Sequence, residues 1–105
     1  MIYTNQTWPA IIGLDLGKQT YSGCRLHGEG YASRHNFTGK MTRGDDGYAC
    51  LLEKIGDEDL VIMEAGSSSF NLARFLINST EADVVVLNPA QLRLIWGQPE
   101  EDRQV

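Results

Sequence analysis

The chain contains no apolar run approaching the roughly 20 residues that a membrane-spanning helix needs, so a transmembrane reading fails. Its opening, MIYTNQTWPA, lacks the basic n-region and long apolar h-region of a secretory leader, which leaves a cytoplasmic location as the expectation. Cysteine is scarce. Cys24 and Cys50 have no metal-ligand spacing and make no disulfide framework, so reduced thiols are expected. No internal repeat or low-complexity segment is present. Positive charge is also short, with 9 Lys and Arg against 14 Asp and Glu and a net charge of −5. A domain that gripped nucleic acid unaided would be basic, because neutralising phosphates supplies most non-specific affinity. Taken alone, the balance argues against a stand-alone DNA-binding module.

What is present fits an ordinary globular domain: 42% hydrophobic and 22% charged residues in a 105-residue chain, enough for one modest core. The charge is uneven. Residues 57–105 hold Asp57, Glu58, Asp59, Glu64, Glu81, Asp83, Glu100, Glu101 and Asp102 against three arginines, a net of −6. Such a half suits acids that hold cations while another part of a longer chain grips a polyanion. The ending, GQPEEDRQV, has neither a helix cap nor a Gly/Pro/Ser tail, so the expectation is a piece cut from something longer.

Ala10 to Leu16 reads as a strand, β-branched at Ile11 and Ile12 and ended by Gly17. Alternation places Ile11, Gly13 and Asp15 on one face and Ile12, Leu14 and Leu16 on the other. Apolar residues on both faces predict a central strand covered on each side. Thr20 to His27 is a second strand, GEG at 28–30 a hairpin turn, and Tyr31 to Thr38 the antiparallel partner. Tyr48, Leu51, Leu52 and Ile55 fall at helical spacing in a helix over Asp45 to Ile55 that Gly56 stops. LVIME is a short apolar strand ending in Glu64. After AGSSSF, with Ser67 or Ser68 as cap, a helix runs to about Asn78. DVVVLN is the fifth strand, and PAQLRLIW begins a helix with Pro89 near its first position. The expected order β-β-β-α-β-α-β-α gives an α/β fold, one mixed five-stranded sheet with helices on both faces. Ribonuclease-H-like sheets have this order. Residues 1–9 read as an N-terminal extension and 10–105 as the domain.

Asp15 ends the first strand and Glu64 the fourth, each after an apolar run. If those strands are parallel neighbours, both carboxylates emerge at one sheet edge, where ligands of open α/β sheets sit. Two acids held together ionise cheaply only around a cation, and oxygen-only ligands suit Mg²⁺ or Mn²⁺. A pair of such ions about 4 Å apart would activate one oxygen and stabilise the leaving one in phosphodiester chemistry. The bland alternative has Asp15 capping a turn through its side chain and Glu64 pairing with Lys18 or Arg74. Asp102, in PEEDRQV, reads on its own as part of a solvated acidic tail.

GLDLGKQT, VIMEAGSSSF, VVVLNPAQLRLI and EEDR, in that order from about Ile11 to the end, resemble the N-terminal domain of the DEDD transposases. These are the insertion-sequence-110 family and its pilin-gene-invertase relatives. Four motifs in series are fairly specific. The resemblance implies a RuvC-like, ribonuclease-H-type domain that acts in transposition and site-specific recombination. It matches Asp15, Glu64 and Asp102 to the first three acids of a metal-holding catalytic tetrad, with Mg²⁺ or Mn²⁺ as cofactor. The fourth acid falls at Val105, and the lysine usual before the third acid is absent, its place taken by Glu100 and Glu101. The implied partners are DNA, a guide RNA in many family members, a C-terminal domain with a catalytic serine that this chain lacks, and further copies in a homo-oligomer. The fragment alone is expected to be inactive. Lys18, Ser67 and Arg103 are the candidate DNA contacts.

Three rival readings remain beside this one. Asp15-x-Gly17-x-x-Thr20 also resembles the phosphate-binding hairpin of actin-like kinases and chaperone ATPases, but that fold needs two such domains, and no second acid-glycine-glycine motif is present. A Holliday-junction resolvase shares the sheet and the first aspartate, whereas NPAQ favours the transposase. The third rival is a catalytically incomplete domain that serves only in assembly. Among smaller features, Lys18 could contact phosphate or pair with Glu64. Helix capping explains SSS, with a phosphate contact at the helix N-terminus the lesser alternative. His27 and His35 read as surface residues. Trp8 and Trp96 could stack bases but more commonly pack.

Overall fold

In the computed structural model, which describes residues 8–88, Ala10–Leu16 forms strand β1 and Thr20–His27 forms β2. Strand β3 is Ser33–Lys40, helix α1 Tyr48–Leu52, β4 Leu60–Glu64, α2 Ser69–Ser79 and β5 Asp83–Leu87. They build an α/β unit around one mixed sheet of order β3-β2-β1-β4-β5. β1 pairs antiparallel with β2, and β2 with β3, while β4 runs parallel to both β1 and β5. The expected element order holds through β5. The helix expected from Pro89 lies outside the described residues.

The alternation in β1 divides the faces as its sequence predicts. Ala10, Ile12 and Leu14 are buried, whereas Gly13 and Asp15 are exposed. Register carries that division across the sheet: Ile12 sits beside Val61 and Leu14 beside Met63. Over this face pack Tyr48 and Leu51 of α1 and Leu72, Ala73 and Leu76 of α2, all in one core with the strand residues. The rings of Tyr48 and Phe75 meet at 5.0 Å between centroids and join the two helices. Both described helices thus cover the same face. The opposite face, which carries Gly13 and Asp15, has no helix over it among the described residues. β1 is central, as expected, but covered on one side there.

Several boundaries differ from expectation: β3 runs on to Lys40, past the expected Thr38, and β5 stops at Leu87, while both ends of α1 and the start of β3 have a local reason. α1 is shorter than Asp45–Ile55. Gly47, just before it, has non-helical dihedrals (φ −130, ψ −102), and the chain there packs against the Thr42 carbonyl too closely for a side chain. Beyond Leu52 the amides of Lys54 and Ile55 bond back three residues instead of four, so the helix tightens and ends. β3 begins at Ser33 and not Tyr31 because Glu29–Tyr31 forms a 3₁₀ turn. Tyr31 takes a left-handed φ of 56, a conformation that costs a non-glycine residue about 1–3 kcal/mol. Its hydroxyl donates to the Trp8 carbonyl (2.6 Å) and accepts from the Trp8 amide (3.2 Å), which offsets that cost. The Trp8 indole in turn donates to Asp83 at 2.9 Å, so the segment before β1 ties the hairpin turn to β5.

Candidate functional site

The carboxylates of Asp15 and Glu64 are brought together by strand register. β1 and β4 are parallel neighbours whose last paired residues are Leu14 and Met63; the next residue along each strand is Asp15 and Glu64. Side chains alternate across a strand, so both acids stand on the face opposite the buried Leu14 and Met63. Both are exposed, and both line one cleft at the carboxyl end of the strands. Gly17 and Lys18, from the turn after β1, form one wall of that cleft, and Gly66 to Ser69, leading into α2, form the other.

The bland alternatives for the two acids are not what the structure contains. Among the described residues the ion pairs are Arg25–Asp59 and Lys40–Asp46, and Arg74 donates to Asn71 at 3.3 Å. The Gly17 amide bonds the Thr20 carbonyl at 2.8 Å, closing the β1–β2 turn through backbone alone. Neither Asp15, Glu64 nor Lys18 has a side-chain hydrogen bond or ion pair among the described residues. Two adjacent exposed carboxylates repel one another unless a cation lies between them, and their oxygens are the donors that Mg²⁺ and Mn²⁺ take. No third Asp, Glu, His or Cys among the described residues joins them in a cluster that could hold a metal ion. Asp102 and Arg103 lie outside the described residues.

The serines divide their roles. Ser68 occupies the N-cap position of α2 but makes no side-chain capping bond. Ser69, fully buried, accepts from the Gly66 amide at 2.8 Å and donates to the Gly66 carbonyl at 3.0 Å. It staples the turn after Glu64, so the helix starts after Ser68, one of the two expected cap positions, and a side chain one residue further on makes the bond. Ser67 remains exposed on the cleft wall.

A buried pair escaped the sequence reading. Asp59 is 2% exposed and accepts from Arg25 at 2.7 Å and from the Gly56 amide at 2.6 Å. Arg25 also donates to the Lys54 carbonyl at 3.0 Å, tying β2 to the α1–β4 connection. Its signal was available: Arg25 alternates with Tyr21 and Gly23 on the covered face, and a charge there requires a partner. No protein-family model matches this chain, and no curated protein matches it either.

Proposed function

We propose that this chain is a ribonuclease-H-like, RuvC-like domain of a DNA transposase or site-specific recombinase. In this reading Asp15 and Glu64 hold Mg²⁺ or Mn²⁺ at the phosphodiester being exchanged. The observation that carries it is the placement of those two carboxylates side by side at the ends of adjacent parallel strands, on one face and in one cleft. The element order, three antiparallel strands followed by two parallel crossovers, supports the fold assignment.

The donor set fits the ion, since exposed carboxylate oxygens with no other partner among the described residues suit hard divalent cations. A bound ion would supply Lewis-acid stabilisation of charge on the phosphoryl oxygens. The chain's own residues do the rest. Asp15 and Glu64 fix the position of the cation relative to the sheet, Lys18 offers a cationic contact for a neighbouring phosphate, and Ser67 offers a hydroxyl and backbone amide at the start of α2. In the exchange an oxygen nucleophile gives up its proton and forms a new P–O bond. The leaving oxygen departs with the bonding pair and takes up a proton. Asp102 and Arg103 would complete the site from the segment after β5.

Mn²⁺ titration followed by electron paramagnetic resonance, with anomalous diffraction from Mn²⁺-soaked crystals, tests the reading. The expected result is an ion between Asp15 and Glu64, with affinity lost in Asp15→Asn and Glu64→Gln. Absence of Mn²⁺ at this pair would overturn the assignment.

A further inference from the structure

Ser69 carries a buried hydroxyl that the proposed chemistry does not use. It is fully buried on the core side of α2, where its companions are Leu72, Ala73 and Leu76. Alanine would fill that position and favour the helix more than serine does. A hydroxyl kept in such a place needs hydrogen-bond partners, and both of its bonds go back to one residue. Ser69 Oγ accepts from the Gly66 amide at 2.8 Å and donates to the Gly66 carbonyl at 3.0 Å. The amide belongs to the peptide that joins Gly66 to Ala65, and the carbonyl to the peptide that joins it to Ser67. One side chain therefore fixes both peptide planes about Gly66, the residue type with the widest backbone freedom.

This clamp lies two residues after Glu64. Asp15 is embedded in its ladder, since it and Leu16 pair with Ser22 and Tyr21 of β2. Glu64 is less enclosed. It is the last residue of β4, and the pairing of β4 with β1 stops one residue earlier, at Leu14 and Met63. From the β5 side Glu64 is held by its register with Leu87 and by the bond from the Ala65 amide to the Leu87 carbonyl at 2.7 Å. Beyond Ala65 the chain leaves the sheet, and its next fixed point is the Ser69 clamp. The Glu64 carboxylate has no hydrogen bond or ion pair among the described residues, so the backbone that carries it sets its aim. The clamped turn is also the cleft wall that faces Gly17 and Lys18.

We infer that Ser69 is a positioning residue for the acid pair: acting through Gly66, it holds Glu64 in place relative to Asp15 and so sets the preference of the site for Mg²⁺ over Ca²⁺. The inference rests on the reading of Asp15 and Glu64 as metal ligands and adds the source of their ion selectivity. Mg²⁺ demands oxygens at about 2.0–2.1 Å in near-ideal octahedral geometry, whereas Ca²⁺ accepts them at about 2.3–2.6 Å in flexible arrangements. A carboxylate on a loosened backbone still serves Ca²⁺ but must be ordered around Mg²⁺, at a cost in affinity. A serine that only satisfied its own hydroxyl, or only secured the helix, would affect both ions alike.

The test is Mn²⁺ electron paramagnetic resonance on the whole chain, with Mg²⁺ and Ca²⁺ as competitors, for Ser69→Ala, Ser69→Cys and Thr80→Val. Thr80 makes the same kind of clamp at the far end of α2, donating to the Leu76 carbonyl at 2.9 Å and accepting from the Ala82 amide at 3.1 Å. It is the control for loosening the helix. Ser69→Ala is expected to weaken Mg²⁺ binding about tenfold, the lower end for loss of a group that orients a metal ligand, and Ca²⁺ binding about twofold. Ser69→Cys, whose thiol is a weak donor and acceptor of similar shape, should fall between. Thr80→Val should leave the ratio of the two affinities unchanged. Partial unfolding of a variant scales both affinities by the same factor, so the ratio reports geometry and not stability. An unchanged ratio in both Ser69 variants, with Mn²⁺ still bound, would overturn the role of Ser69 and leave the metal reading standing. An equal shift of the ratio in Thr80→Val would do the same. Failure of the unmodified chain to bind Mn²⁺ would overturn both readings.

Discussion

The Phe37 ring occupies the space above its cross-strand partner Gly23, where a side chain on that residue would otherwise stand. The neighbouring pair repeats the device in reverse, with Tyr21 over Gly39. The two rings meet edge to face at 6.4 Å between centroids and together close the covered side of β2 and β3. Gly23→Ala must displace Phe37, and overpacking of this kind costs about 1–3 kcal/mol. Chemical denaturation of Gly23→Ala, Phe37→Leu and the double variant measures it. The expected coupling is positive: the double variant is more stable than the two single losses summed, because the smaller side chain vacates the space the new methyl needs.

Asp59 and Arg25 give a second stability prediction. Asp59→Ala strands a guanidinium whose carboxylate partner was buried, and removing one member of such a pair costs about 3–5 kcal/mol. Arg25 is partly exposed at 29%, which lets water recover some of that loss and moves the expectation to the lower end. Asp59→Asn keeps an acceptor for the Gly56 amide and for Arg25, and should lose less than Asp59→Ala. Equal losses in the two variants would show that the charge, and not the hydrogen bonds, holds this connection.

Much of this was legible because period and register are sequence properties. Once β1 alternates and β4 is a short apolar strand, a parallel pairing must bring their terminal acids to one edge. The order of elements followed from turn residues such as Gly17, Gly28 and Gly30. What was not legible depended on contacts distant in sequence. The Arg25–Asp59 pair spans 34 positions, and Asp59 within GDEDL looks like any solvated acid. The late start of α1 reflects a close approach of Gly47 to Thr42 that no periodicity encodes. The serine that secures the turn after Glu64 is Ser69 because its side chain points back at Gly66, a choice among three identical residues.

Tyr21 makes the fold sensitive to alkali. Burial pushes its phenol above the ordinary value of 10.0, and the nearby Cys50 acts in the same direction. A group whose folded pKa lies above its unfolded value contributes stability that is fully present below the unfolded pKa. That contribution is lost as pH rises through the folded one. Thermal melts from pH 7 upward should therefore show a decline beginning above about pH 10. Tyr21→Phe should remove much of that decline. At pH 7 it should cost about 0.5–1.5 kcal/mol, the worth of the hydrogen bond from Tyr21 to the Gly47 carbonyl. A decline of the same depth in the variant would place the alkaline sensitivity elsewhere.

On the proposed metal reading, the acid pair should behave in opposite ways with and without a divalent cation. In metal-free buffer Asp15 and Glu64 stand adjacent and exposed with no cationic partner among the described residues, so one carboxylate works against the other. Asp15→Asn and Glu64→Gln should then leave the melting temperature unchanged or raise it slightly, since exposed charge pairs are worth about 0–1 kcal/mol. With Mg²⁺ at about ten times its dissociation constant, binding to the folded chain adds about 1.4 kcal/mol. That corresponds to roughly 5–10 °C in a chain of this size. The unmodified chain should gain that shift, and each variant should lose it. A structural role for the carboxylates would give the reverse pattern: variants already destabilised without metal, and a Mg²⁺ response that the substitutions do not change.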